Sequence, residues 1–267
     1  MLLTVKDLRF SYGATEVLKG VCLSNSWSGK ITALIGPNAA GKTTFLKCLA
    51  GLLKPQGSIK LDGVELRDMK KEEVTDRVGY LPQEGPVNAV LTVFEALLLA
   101  RKHTMSWRVD DDDLEIAAKV LQDLDIEQLS LRYLNELSGG QKQMVSIAQV
   151  LARSPQVLLL DEPTSNLDLQ RQLEVLALLE KFTAEREVTT IISLHDLNLA
   201  ARFANHFVVM DAGTIYASGD APSVLTSEML RDVYNVNANV RVDSDGITQI
   251  TPVSSVRETA AFASSMP

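Results

Sequence analysis

The stretch that decides the fold is GPNAAGKTT, Gly36 to Thr44, which follows the apolar run Ile31 to Ile35. Gly36 to Thr43 fits the pattern G-x-x-x-x-G-K-[ST], and the pattern stands where its mechanism requires, between a buried strand and a helix. The helix is read over Thr43 to Ala50 and ends at Gly51, a residue suited to a C-terminal cap. In this setting the backbone of Gly36, Pro37, Asn38, Ala39, Ala40 and Gly41 wraps an anion against a helix N-terminus. Lys42 supplies a point charge to the β- and γ-phosphates, the Thr43 hydroxyl can ligate Mg²⁺, and Thr44 completes the first turn.

Outward from the loop, Leu3 to Phe10, Val17 to Trp27 and Ile31 to Ile35 read as strands parted by turns at Tyr12-Gly13 and Ser28-Gly29. Gly57 to Asp62 returns to strand. These fit an antiparallel sheet that leads into a parallel one. From about Pro86 to Arg153 the pattern is helical, opened by a capping box between Thr92 and Glu95 before the run LTVFEALLLAR. The acidic run Asp110 to Asp113 reads as exposed carboxylates at a helix N-terminus rather than a metal site. Val157 to Leu160 and Val188 to Ser193 read as buried parallel strands, joined by a helix over Leu167 to Phe182. A hairpin around Asp211-Ala212-Gly213, a helix over Glu228 to Tyr234 and a second hairpin around Asp243 to Gly246 complete the pattern.

Composition narrows the function classes. The chain has 267 residues, 46% of them hydrophobic, enough for one large core or two smaller lobes. With 26 basic against 34 acidic residues the formal net charge is -8, which argues against broad attraction to nucleic acid or to an anionic membrane surface. No apolar run reaches the roughly 20 residues of a membrane helix, and no leader precedes the first strand, so a chain that neither spans a membrane nor carries a secretion signal is expected. Cys22 and Cys48 read as two buried thiols, and His103, His195 and His206 are too scattered for a local metal cluster.

Two further elements carry chemistry. In VLLLDEP, Val157 to Pro163, an acidic residue ends a buried strand: Asp161 is read as a Mg²⁺ holder and Glu162 as the group that orients or deprotonates an attacking water. In LSGGQ, Leu137 to Gln141, Ser138 can cap a helix while Gly139 and Gly140 let the backbone close on a ligand, which makes a second anion-binding helix start. Two such starts far apart in one chain are reconciled most simply by a dimer, the second site of one copy closing over the nucleotide of the other.

Those three stretches, in this order, resemble the ATP-binding cassette ATPases over roughly Leu3 to Gly219, and LSGGQ is that family's signature. The resemblance implies an α/β fold: a P-loop NTPase domain of the cassette type, with an N-terminal antiparallel β-subdomain and an inserted α-helical subdomain. The expected limits are 1–240 for the ATPase domain, with the helical part at about 86–153, then 241–253 for a C-terminal hairpin extension and 254–267 for a disordered tail. It also implies a head-to-tail dimer holding two ATP molecules, each between one phosphate loop and the signature, Ser138 to Gln141, of the other copy. Tyr12 matches the aromatic that stacks on adenine, although a turn tyrosine is by itself plain packing. Gln83 matches the glutamine that senses Mg²⁺ and the attacking water and couples to a membrane partner. Asp168 matches the loop that contacts the opposite chain, and His195 the histidine that reaches the γ-phosphate.

Within that family VGYLPQ, LSGGQKQMVSIAQVLARSP and PSVLTSEMLRDVYNVNANV resemble most the ATPases of iron-siderophore, haem and cobalamin importers. This implies an ATPase on the cytoplasmic face of the cell membrane, peripheral through separate permease subunits, served by an extracytoplasmic binding protein and using ATP and Mg²⁺. A ferric siderophore is the first expectation for cargo. The competing reading is a soluble cassette ATPase in an assembly complex such as iron-sulfur cluster biogenesis. Residues near Leu97 to Leu99 are divided between core and docking surface. Ala39 departs from the family, which commonly has glycine there, so an Ala39→Gly variant is expected to bind ATP more tightly.

Overall fold

The computed structural model describes residues 3–25, 27–83, 90–101 and 109–256. Pro86, His103 and the tail expected to be disordered beyond residue 256 lie outside the described residues. The N-terminal part forms β1 (Leu3–Tyr12), β2 (Thr15–Asn25), β3 (Lys30–Ile35), α1 (Lys42–Leu49), β4 (Gln56–Leu61), β5 (Val64–Glu65), α2 (Lys71–Arg77) and β6 (Val78–Leu81). The helical part follows with α3 (Val93–Arg101), α4 (Asp111–Asp123) and α5 (Gly139–Ala152). The chain then alternates β7 (Val157–Asp161), α6 (Leu169–Glu185), β8 (Thr189–Ser193), α7 (Leu197–Phe203), β9 (His206–Asp211) and β10 (Thr214–Gly219). It ends in α8 (Ala221–Val224), α9 (Ser227–Tyr234), β11 (Val236–Val242) and β12 (Thr248–Ser255).

Two large sheets and the two-stranded sheet β11-β12 organise these elements. An antiparallel sheet has the order β2-β1-β4-β5, and a six-stranded sheet has the order β10-β9-β3-β8-β7-β6, parallel except for the edge strand β10. A parallel strand with helices on both sides must be apolar on both faces, and β3 and β7 meet that condition. Ile31, Ala33 and Ile35 of β3 join Leu158 and Leu160 of β7 in one core cluster, while Leu34 joins Val157 and Leu159 in the other. The first cluster is closed by α5, α6 and the helical part, the second by α1 and the antiparallel sheet.

The Thr92–Glu95 capping box is formed: Glu95 Oε2 accepts from the Thr92 N–H at 2.8 Å, and Thr92 Oγ1 accepts from the Glu95 N–H at 3.3 Å. The acidic run opens α4 with Asp110, Asp111 and Asp112 exposed, as expected, and departs from the expectation only at its last residue. Asp110 caps α4, but Asp113 is 5% exposed and its Oδ1 accepts from Arg101 Nε at 2.9 Å. Arg101 also donates to the Ala152 carbonyl at 2.6 Å, so one guanidinium ties the end of α3 to the start of α4 and the end of α5. The thiols divide as well: Cys48 is buried, whereas Cys22 is exposed, because it lies on the face of β2 opposite Val21 and Leu23. Strand β12 runs to Ser255, with Ser254 and Ser255 paired to Asn237 and Val236, so these two residues belong to the hairpin rather than to an irregular tail.

Arg101→Ala removes the guanidinium partner of a buried carboxylate and is expected to cost about 3 kcal/mol of stability, read as a lower urea midpoint. Adding Asp113→Asn is expected to restore part of the loss, since no charge is then left buried.

Candidate active site

The site is built at the C-terminal ends of the parallel strands, where chains leave the sheet and polar groups can face a common crevice. β3 delivers the phosphate loop. Gly36 has φ +147°, and a Cβ there would stand 2.1 Å from the Met210 carbonyl oxygen, so the β9 backbone admits only glycine. The turn after β9 braces the loop from the same side, with the Gly213 N–H donating to the Ala40 carbonyl at 3.2 Å. Gly41, at φ +101°, is the N-cap of α1 and offers no side-chain acceptor, which leaves the first-turn amides to a bound anion.

Lys42 is 6% exposed and its Nζ donates to the carbonyls of Gly36 at 2.6 Å and Pro37 at 2.9 Å. Burial pulls its pKa below the ordinary lysine value, partly offset by the negative charges of Glu162 and Asp161. The loop and the end of β7 therefore share one electrostatic environment. Thr44 is buried in the first turn and Thr43 half-buried beside it, while Asn38 and Ala39 are exposed. Ala39 has φ +63°, the left-handed region that glycine enters freely.

At the end of β7, Asp161 is fully buried. Its Oδ1 accepts from Ser193 Oγ at 2.8 Å, and its Oδ2 is buried with no hydrogen-bond partner. A buried carboxylate oxygen left without a hydrogen bond, within electrostatic reach of Lys42, fits a hard divalent cation such as Mg²⁺, which takes oxygen ligands. The neighbouring Tyr80 hydroxyl is held protonated by burial and by the charge of Asp161, which push its pKa up.

Glu162 turns out of the sheet with φ +52°. Its Oε2 accepts from Gln83 Nε2 at 2.7 Å and its Oε1 from His195 Nε2 at 2.5 Å. Glu162, Gln83 and His195 come from three separate strand ends and meet at one carboxylate. That arrangement can fix the plane of a general base and hold a water molecule beside it.

The second anion-binding start is ordered by its own capping box. Ser138 Oγ accepts from the Gln141 N–H at 3.3 Å and Gln141 Oε1 accepts from the Ser138 N–H at 3.0 Å. The Gln141 side chain is thus engaged within the helix end. Ser138, Gly140 and Gln141 line a cleft of about 280 Å³ with Asn166, Leu167 and Asp168, and no residue of the phosphate loop lines it. Asp168 is the N-cap of α6, its Oδ1 accepting from the Arg171 N–H at 2.9 Å. Gly139 has open space around it. Tyr12 is 50% exposed, its ring edge-on to Phe10 with centroids 4.9 Å apart. The structure therefore gathers the loop, Asp161, Glu162, Gln83 and His195 in one place, and holds Ser138 to Gln141 with Asp168 in another.

Two connections escaped the sequence reading. Ser193 bridges Asp161 and Glu162, and Asn198 on α7 clasps Ile250 of β12 by donating to its carbonyl at 3.2 Å and accepting from its N–H at 2.8 Å. Ser193 carried one signal, a polar residue closing a β-branched run, but its partner is fixed only by strand pairing.

A buried parallel sheet with a glycine-lysine-threonine loop at its carboxyl edge defines a P-loop nucleotide-hydrolysing protein. The chain belongs to the ABC transporter family, whose sequence profile matches residues 23–165, and it is an ATP-binding ATPase of that family. It is 41% identical to an uncharacterised ABC transporter ATP-binding protein of Methanocaldococcus jannaschii, over 95% of this chain and 98% of that one. It is 35% identical to the iron(3+)-hydroxamate import ATP-binding protein FhuC of Bacillus subtilis, with 90% of each chain covered. With the ferric enterobactin transport ATP-binding protein FepC of Escherichia coli it shares 34% identity over 88% of each. Among solved structures it resembles an ABC transporter described as of the metal-chelate type in an inward-facing conformation, with TM-score 0.79, 27% identity and coverage of 95% and 98%. It also resembles a dimeric bacterial ABC transporter cassette, with TM-score 0.74, 27% identity and coverage of 82% and 98%.

A non-glycine residue in the left-handed region costs about 1 kcal/mol, and a glycine at 39 would relieve that cost in whatever conformation the loop takes around a phosphate. Ala39→Gly is expected to tighten ATP binding up to about fivefold in a direct titration, with the melting temperature nearly unchanged because glycine also loosens the unfolded chain. Equal affinities would show that the strain is the same with and without nucleotide.

Proposed function

We propose that this chain is the ATP-hydrolysing subunit of an importer that takes up a metal chelate, first of all a ferric siderophore, through separate transmembrane permease subunits. The observation that carries the catalytic part is Glu162 held between Gln83 and His195 at the edge of the phosphate loop. The names of relatives that cover nearly the same length support the cargo: iron(3+)-hydroxamate import for FhuC and ferric enterobactin transport for FepC. Among the described residues no helix is long and apolar enough to cross a membrane. In this reading the protein sits peripherally on the cytoplasmic face, and cargo arrives by way of an extracytoplasmic binding protein.

Each residue has a task in the proposed mechanism. Tyr12 stacks on adenine. The backbone from Gly36 to Gly41, with Lys42 and the Thr43 and Thr44 amides, holds the phosphates. Thr43, Asp161 and Gln83 would hold Mg²⁺, which when bound neutralises charge on the phosphate oxygens. Glu162 accepts the proton of the attacking water on its carboxylate, whose direction Gln83 and His195 fix. Ser138, Gly139, Gly140 and Gln141 of a second copy, with Asp168 near the contact, complete the site from across a head-to-tail dimer. The absence of phosphate-loop residues from the Ser138–Asp168 cleft supports this division between copies.

Glu162→Gln keeps the size and shape of the side chain and removes the base. It is expected to bind ATP, to hydrolyse it about 10²- to 10³-fold more slowly, and to accumulate as a dimer with ATP in size-exclusion chromatography. Normal turnover would remove Glu162 from this role. For cargo, the protein reconstituted with its permease in proteoliposomes is expected to raise its ATPase rate with ferric-siderophore-loaded binding protein. Stimulation by the haem- or cobalamin-loaded form alone would reassign the cargo.

A further inference from the structure

We propose that Ser193 is a positioning residue of the hydrolytic site, setting the directions of the Asp161 and Glu162 side chains through its one hydroxyl. The proposal rests on the ATPase reading of that site. Ser193 ends β8, is fully buried, and lies opposite Asp161 in the parallel register of β7 and β8. Its Oγ donates to Asp161 Oδ1 at 2.8 Å and accepts from the Glu162 N–H at 2.9 Å. A serine hydroxyl has one proton to give, so giving it to the carboxylate leaves its lone pairs for the amide, and both ends of the dipole are committed.

This bridge acts on both acidic residues. Holding Oδ1 fixes the rotation of the Asp161 carboxylate, which leaves Oδ2 as the oxygen without a partner and therefore the one available to a cation. Accepting from the Glu162 N–H gives that amide a partner where the chain leaves the ladder, and so stabilises the turn at φ +52° that aims the Glu162 side chain at Gln83 and His195. An alanine at 193 would leave a partly buried amide without this partner and withdraw the donor from a buried carboxylate. Hydroxyl burial on this strand is separable from the site: Thr190 Oγ1, on the same strand, pairs with Thr183 Oγ1 at 2.7 Å instead of with an acidic residue.

The test uses the full chain with Ser193→Ala, Ser193→Thr, Thr190→Val and Glu162→Gln. Steady-state ATPase, ATP titration with and without Mg²⁺, and thermal melting are measured for each. Ser193→Ala is expected to lower kcat about 10- to 100-fold with KM for ATP changed less than about threefold, because orientation rather than binding is lost. The gain in ATP affinity on adding Mg²⁺ is expected to shrink in that variant, and Ser193→Thr to recover most of kcat. Thr190→Val is expected to lower the melting temperature as much as Ser193→Ala while keeping the parent kcat. A parent-like kcat in Ser193→Ala, beside an inactive Glu162→Gln, would overturn the proposal and leave the ATPase site standing. So would a kcat that falls equally in Ser193→Ala and Thr190→Val. Full turnover in Glu162→Gln would overturn the reading beneath it.

Discussion

Burial of the central parallel strands on both faces is the constraint from which the site follows. Within the buried run of β3, β7 and β8 there is no place for a charge, so the charged groups of the site stand where the strands leave the sheet. Parallel pairing brings those exits to one edge. Asp161 stands beside Ser193 because Val157 pairs with Thr189 four residues earlier, and the phosphate loop stands beside both because β3 pairs with β8. The core thus aligns residues that are more than a hundred positions apart in sequence, as Lys42 and Asp161 are.

At that edge Ala39 and Glu162 are among the non-glycine residues in the left-handed region, and both lie in the site. Each costs free energy that the surroundings must offset. Around Glu162 the compensation is visible in the Ser193 hydroxyl, Gln83 and His195. Ala39 is exposed and lacks such a set, its loop being braced instead at Gly36 and Ala40 by the β9–β10 hairpin. Strain is well supported where the carboxylate is aimed and weakly supported where the loop tip faces outward.

Much of the fold was legible because its signals are local. The strand-loop-helix around Gly36, the capping box at Thr92 and both hairpins depend on residues a few positions apart, and strand and helix periodicities report burial directly. The misreadings share one cause. Asp113 reads as an exposed first-turn carboxylate until Arg101, reaching from another helix, takes it out of water. Cys22 reads as a buried thiol until the pairing of β1 with β2 assigns its face.

For the site, the sequence by itself determined which groups exist: a loop able to cradle phosphate, a lysine, a threonine, two acidic residues at a strand end, and a second helix start of the same chemistry. These are properties of residue type and short spacing, which survive without a partner element. Only the tertiary structure decided that Gln83 and His195 share one carboxylate, that Ser193 bridges two acidic residues, and that Ser138 to Gln141 lies in a cleft without the phosphate loop. Those are questions of register and strand order, and a hydrogen bond between distant residues is settled only when the buried sheet has fixed which strands are neighbours and which residues stand side by side.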